Sequence, residues 1–348
     1  MNVDRARGAL LGLAVGDALG TTLEFSPAPP SVPPFPSLAI GPHREMVGGG
    51  PFRLAAGQAT DDTQMACLLA EAVRERASYD PEEAVLLYGA WAAVAFDVGL
   101  QTRSALALAR AGTPALRSGR VAWEKGGRHL AGNGSLMRTA PIGVFLSRDA
   151  EARRRTALLD SAVTHFDPRC ILACAAFDAA LARAVSGPPP LRPSSLLAAA
   201  REELPLAADA AETLFPGEEA AVDDARGLLL EDLALAERDD PGLSGPLAVD
   251  GPAQGFVRVA FRLAFWELLH APSFEAGLVD AVNRGGDADT NGAIAGALLG
   301  ALHGEGEIPA RWARAVLEAP VHARLGALAG KCHPRALLAG LGASAGGA

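Results

Sequence analysis

Asn283-Arg-Gly-Gly-Asp-Ala-Asp-Thr-Asn-Gly292, continuing through Ala-Ile-Ala-Gly-Ala-Leu-Leu-Gly-Ala301, reads as a loop that runs into a buried helix. Asp287 and Asp289 are two residues apart, and on an α-helix their side chains would point roughly 200° apart. If both acids serve one ligand, they must converge from irregular backbone, for which Gly285 and Gly286 supply the freedom. Ala293 to Leu302 carries almost no polar side chain, and Ala293, Ala297 and Ala301, with Gly296 and Gly300 beside them, suit close helix packing. Two carboxylates held at the mouth of a buried helix take up protons unless a counter-ion sits with them. A hard divalent cation with oxygen ligands meets that need.

The rest of the chain favours a helical setting. Of its 348 residues 49% are hydrophobic, but only 5% are aromatic and only two are Tyr, a balance that suits helix–helix packing better than a sheet-rich core. We expect an all-α, compact multi-helix fold. Forty acidic against 31 basic residues leave a formal charge of -9 with no basic cluster, which disfavours nucleic acid as a partner. Cys67, Cys170, Cys174 and Cys332 form no CxxC pair and read as small apolar residues in helices. No segment reaches the roughly 18 apolar residues of a membrane span. The N-terminus carries Asp4 and lacks a signal-peptide pattern. A cytoplasmic protein is the expectation.

Val3 to Leu19 has helical periodicity, with Gly8, Gly12, Gly16 and Gly20 every four residues along one stripe that another backbone can approach. Asp17 and Glu24, at and after its end, could be solvated acids or parts of a site. A Pro-rich excursion from Ser26 to Pro36 cannot be helical. Thr60-Asp61-Asp62-Thr63 opens an amphipathic helix that the pattern carries to about Arg76. A capping role accounts for one acid there, but less well for two acids between two threonines. Pro81 to Phe96 reads as a helix closed by Gly99 as a C-cap, with Asp97 oddly placed at the negative end. Gln101 to Ala111 is helical. Gly132-Asn133-Gly134-Ser135 is a small-residue turn whose N–H groups could cradle a phosphate or carboxylate, although Asn-Gly also marks ordinary turns.

Ala150–Ala162 and Pro168–Val185 are helices separated by Thr164-His165, and a lone His there is more often structural. Residues 186–252 read as peripheral helices and loops within a single domain spanning 1–339, and 340–348 as a flexible Gly/Ala-rich tail. Further helices are expected at Phe256–Leu269, Phe274–Val282, Pro309–Ala319 and Val321–Ala329.

Thr60-Asp61-Asp62 and Asp287-Ala-Asp289-Thr290 share a grammar of two carboxylates and a hydroxyl at a helix entrance. Together they could serve a pair of divalent ions, and an all-oxygen set favours Mg²⁺ or Mn²⁺ over Zn²⁺. Taken in order, Gly16-Asp-Ala-Leu-Gly with Glu24, Thr60-Asp-Asp-Thr, Phe96-Asp-Val-Gly, Gly132-Asn-Gly-Ser-Leu-Met-Arg, Thr164-His and Gly285-Gly-Asp-Ala-Asp-Thr resemble the ADP-ribosylglycohydrolases, in particular the dinitrogen-reductase-activating glycohydrolase group. The motifs are individually short, and their ordered co-occurrence carries the resemblance.

The resemblance implies a binuclear metal cleft, with Thr60, Asp61, Asp62, Asp287, Asp289 and Thr290 as metal-site residues. It implies Asp97 and Glu24 as the acids beside the reacting ribose, Gly99 and the Gly132, Asn133, Gly134, Ser135 turn as substrate-binding, and His165 as a substrate contact. The reaction implied is hydrolysis at C1″ of an ADP-ribosylated protein or small ADP-ribose conjugate, with ADP-ribose as product and ADP-ribosyl-arginine as the leading acceptor. Serine, acetyl-ester or nucleobase adducts are alternatives, as is a non-catalytic crystallin-like binder. A two-metal phosphatase or nuclease would suit the oxygen ligands alone but lacks the Arg/Lys clamp such chemistry uses. Val98 stands where the family more often has isoleucine, and Phe256 where a tyrosine is expected.

Overall fold

The computed structural model describes residues 1–27, 43–74 and 79–342, which form fifteen α-helices joined by turns, short 3₁₀ segments and isolated β-bridges. Two helices make its axis: α1 (Val3–Gly20) and α13 (Ala288–His303), both buried over nearly their whole length. Asn2 caps α1 by accepting from the Arg5 N–H at 3.1 Å. The two helices run antiparallel in near backbone contact. A Cβ built on Gly8, Gly12, Gly16 or Gly20 would lie 1.9–2.3 Å from the carbonyl oxygen of Gly300, Gly296, Gly292 or Ala288 respectively. The α1 stripe is the one the sequence shows. On α13, however, the close-contact positions are Ala288, Gly292, Gly296 and Gly300, and the alanine line at 293, 297 and 301 is not the contact line.

Around this pair lie α2 (Asp61–Arg74), α3 (Pro81–Ala92), α4 (Leu100–Arg110), α5 (Ala115–Lys125), α6 (Ala140–Phe145), α7 (Ala150–Thr164) and α8 (Pro168–Ser186). The chain continues through α9 (Pro193–Leu214), α10 (Glu219–Ala236), α11 (Val257–His270), α12 (Phe274–Asn283), α14 (Ala310–Glu318) and α15 (Pro334–Leu338). Helix α8 is buried from Cys170 to Ala182 without a break. Helices α9 and α10 contribute Leu196, Leu197, Leu204, Leu229 and Leu233 to the same core. Asp232 of α10 is fully buried and accepts from Arg258 and Arg262 of α11, tying that pair together by charge.

Several expectations change. Gly99 does not close α3, which ends at Ala92; it is the N-cap of α4, with extended backbone at φ -55 and ψ 144. Asp97 therefore precedes a helix N-terminus, where an acid is favoured. Val321–Ala329 is not an α-helix but a 3₁₀ segment, Ala323–Leu328, broken at Gly326, whose φ is +49. The expected end of α2 at Arg76, most of the Pro-rich excursion and the tail from 343 onward lie outside the described residues. No helix among the described residues is long and apolar enough to cross a membrane.

Candidate metal centre and cleft

Because α1 and α13 run antiparallel, the last turn of one meets the first turn of the other at Gly20 and Ala288. Asp17 and Asp289 are thereby brought together, with Asp287 as the N-cap of α13. Asp289 sits within the helix and not on irregular backbone; only Asp287 lies outside it, and the change from cap to helix is what lets the two converge. A short bridge completes the frame: the Phe25 N–H donates to the Gly286 carbonyl at 2.6 Å and the Gly286 N–H to that of Ser26 at 2.8 Å, which pins the segment holding Glu24 to the Asp287 loop.

Helix α2 enters from the other side, and Asp17 organises its entrance. The carboxylate accepts from the Thr60 N–H and hydroxyl (3.0 and 2.9 Å) and from the Thr63 N–H and hydroxyl (3.1 and 2.5 Å). Thr60 Oγ1 also lies 2.9 Å from Asp62 Oδ2 and 3.5 Å from Asp289 Oδ2. Asp17 is completely buried, so it is not a solvated helix end. Asp62 turns inward beside it, whereas neighbouring Asp61 faces a cavity of about 740 Å³.

The acids form two overlapping triads. Asp17, Asp62 and Asp289 each bring an oxygen within 4.8 Å of the others, and so do Glu24, Asp287 and Asp289, so that Asp289 is common to both. Burial pushes all of them upward: Asp17 to about 6, and Glu24 to about 9 with repulsion from Asp97 and Asp287 adding to the burial. Asp61, Asp62 and Asp289 are driven well above the usual carboxylate range by burial and by repulsion from neighbouring carboxylates, chiefly Asp97, Asp17 and Glu24 respectively. Burial raises Asp97 and Asp287 as well. Glu24 Oε2 and Asp62 Oδ1 are buried without a hydrogen-bond partner among the described residues. Crowded carboxylates, orphaned oxygens and an all-oxygen donor set fit hard divalent cations.

The cavity runs from Glu24, Asp61, Asp97, Asp287, Asp289 and Thr290 to Gly132, Gly134, His165, Arg169 and Phe256. On its lining the Arg169 guanidinium, paired with Asp167 at 2.7 Å, lies 5.2 Å from the Phe256 ring centre. In the 132–135 turn the N–H groups of Gly132 and Asn133 are taken by Gln101 and the Gly255 carbonyl. Those of Gly134 and Ser135 have no acceptor among the described residues. Asn133 donates its side-chain N–H to Asp287 at 2.7 Å and so joins the turn to the acid cluster. Ser135 does not face the cavity: it is fully buried and its hydroxyl accepts from Ser161 in the interior. Gly99 does line the cavity, whereas Thr60 and Asp62 are fully buried and do not.

Behind the turn stands a buried network that the motifs do not reveal. Arg138, fully buried, donates to Asp160 Oδ2, the Asp160 carbonyl, Thr164 Oγ1 and the Gly134 carbonyl. The chain's two tyrosines, Tyr79 and Tyr88, both donate to Asp160 Oδ1. Thr164 Oγ1 accepts from Arg138 and shares a hydrogen bond with His165 Nδ1 at 2.8 Å, which sets the other ring nitrogen, Nε2, against the turn. Burial and the Arg138 charge hold His165 well below its ordinary range, so the ring is neutral. A Cβ on Gly134 would lie 2.8 Å from His165 Cε1, so this position requires glycine.

Comparison with known proteins agrees with this geometry. The family model described as ADP-ribosylglycohydrolase matches residues 2–341. The chain is 32% identical to the ADP-ribosylarginine hydrolase Tri1 of Pseudomonas putida (strain GB-1) over 90% of its own length and 74% of that protein's. It is 28% identical to the ADP-ribosyl-[dinitrogen reductase] glycohydrolase of Rhodospirillum rubrum over 89% of each. A solved structure titled ADP-ribosylglycohydrolase-related protein complex superposes with a TM-score of 0.66 at 30% identity, covering 97% of this chain and 96% of its own. With a match that runs from the first turn of α1 to beyond α15, the chain belongs to the ADP-ribosylglycohydrolase family and is an enzyme of that family.

Proposed function

We propose that this enzyme removes ADP-ribose from modified arginine side chains of proteins, with two divalent cations, Mg²⁺ or Mn²⁺, held in the acid cluster around Asp289. The observation that carries this reading is Asp289, common to both triads and lining a cavity of about 740 Å³. The names of the Pseudomonas putida and Rhodospirillum rubrum relatives support the acceptor and a protein substrate. We take residues 1–339 as one catalytic unit acting in the cytoplasm.

Asp17, Asp62, Asp287 and Asp289, with Thr60 and Thr290, would hold the cations; when bound, these supply Lewis acidity and fix the ribose hydroxyls. The chain's own groups do the rest. The N–H of Gly134 receives the diphosphate, with the neutral His165 ring beside it. Arg169 and Phe256 offer flat faces for the adenine. At the acid end, the bond from C1″ to the guanidine nitrogen breaks as a bond from C1″ to the water oxygen forms. Positive charge on the ribose ring is stabilised by Glu24, Asp61 and Asp97, and Glu24 or Asp97 takes the water proton while the departing guanidine gains one.

The test is release of free ADP-ribose from an ADP-ribosyl-arginine peptide with Mg²⁺ or Mn²⁺ and after chelation, alongside ADP-ribosyl-serine and O-acetyl-ADP-ribose. Cation-dependent release from the arginine peptide is expected. Release of inorganic phosphate in its place, or full turnover after chelation, overturns the proposal.

A further inference from the structure

Phe25 is built against the ordinary preferences of its residue type. Its backbone lies in the left-handed region at φ +59, a conformation that bulky side chains seldom adopt, and its ring remains 58% exposed. Folding thus places a large apolar ring in solvent on unfavourable backbone. The segment is not loose: the paired bonds between Phe25, Ser26 and Gly286 clamp it to the loop that carries Asp287. The residue lines the main cavity directly after Glu24, on the segment bonded to the loop that carries Asp287. Leu100, 81% exposed and next to Gly99, lines the same cavity. The backbone bonds hold the segment in place, and the exposed ring beside the acids is open to a ligand in the cavity.

Resting on the reading of this cleft as an ADP-ribosyl hydrolase site, we propose that Phe25 selects the acceptor by stacking on a flat cationic leaving group, the guanidinium of an arginine side chain. Glu24, Asp61 and Asp97 line the same cavity with carboxylates, so a cation is favoured there over a neutral group, and a guanidinium adds a planar face that an aromatic ring can meet. A serine ether oxygen or an acetyl ester offers neither charge nor comparable face. Phe25 is a specificity residue in this scheme, in contact with the part of the substrate that leaves.

The experiment compares wild type with Phe25→Ala, Phe25→Gly, Phe25→Leu and Phe25→Tyr on ADP-ribosyl-arginine and ADP-ribosyl-serine peptides. Loss of the ring should lower kcat/KM on the arginine peptide by roughly tenfold, mostly through KM, while Tyr restores it and Leu does not. Any turnover of the serine peptide should change less than about twofold. Phe25→Gly relieves the left-handed backbone, so its thermal midpoint should equal or exceed that of wild type, which separates loss of the ring from loss of the fold. Equal losses on both peptides, full activity of Phe25→Gly on the arginine peptide, or rescue by Leu overturns the assignment. Wild-type turnover of the serine peptide alone overturns it and leaves the hydrolase reading standing; turnover of no conjugate overturns both.

Discussion

Asp17 shows how much of the centre depends on a residue that looks unremarkable in the chain. Its two oxygens accept four bonds from Thr60 and Thr63, which lie 43 and 46 residues further on. Whether it ligates a cation directly or orients Thr60, Asp62 and Asp289 around one, its charge and its acceptor geometry are both needed. Asp17→Asn would turn one acceptor into a donor facing the donors of Thr60 and Thr63. Cation affinity, measured by calorimetric titration with Mn²⁺, should fall by about 10- to 100-fold, with folding retained in circular dichroism. Retention of wild-type affinity would remove Asp17 from the site. The sequence does not announce this role, because a carboxylate near a helix end reads equally well as solvated and the threonines that bury it are distant in the chain. Arg138 was hidden for the same reason: Asp160, Tyr79 and Tyr88, which complete its network, belong to other helices. Asp61, Asp62, Asp287 and Asp289 were legible because each pair announces itself within a few residues.

Among the elements, the α1–α13 pair and the 132–135 turn make separable predictions. Gly12→Ala would place a methyl 2.2 Å from the Gly296 carbonyl, a backbone atom that cannot swing aside. Overpacking of this kind costs about 1–3 kcal/mol, and the helices must separate to accept it. Urea unfolding should show that loss, and cation affinity should fall too, because the same helix ends carry Asp17 and Asp289. Arg138→Lys keeps a charge but loses the fork that joins Asp160 to Gly134. Its effect should appear as a KM increase of about tenfold on the ADP-ribosylated peptide with little change in cation affinity; a fall in cation affinity with KM unchanged would contradict the assignment of the turn to substrate.

Helices with apolar periodicity and a cap were readable from sequence, as α1, α7, α8 and α12 illustrate. The register of the α13 stripe was not, because two lines one residue apart both hold small residues and only the partner decides between them. Helix α5 escaped notice between Gly-bearing turns, and Gly99 was assigned to the wrong helix because a glycine can cap either end.

At the scale of the whole molecule, the buried acids link stability to pH. Glu24, with its folded value pushed from 4.5 to about 9, and its neighbours bind more protons folded than unfolded. For carboxyl groups raised in this way, stability is greatest at low pH and is lost as pH climbs from the usual carboxylate range toward the folded value. The cation-free protein should therefore show a melting temperature that falls between about pH 5 and pH 9. Divalent cations must displace those protons to bind. The rise in melting temperature that Mg²⁺ or Mn²⁺ brings should then grow with pH over the same interval, as differential scanning fluorimetry can follow. A cation increment independent of pH would mean that the ions bind elsewhere.

The antiparallel contact of Gly20 with Ala288 also governs when the enzyme can come into being during its own synthesis. Helix α1 leaves the ribosome long before α13, and the groove its glycines offer has no occupant until α13 has been made. A nascent chain can thus accumulate the helices between them while α1 waits, glycine stripe uncovered, for its partner. No partial translation product that stops before Asp289 can hold both triads, so an interrupted message yields a protein without the complete centre.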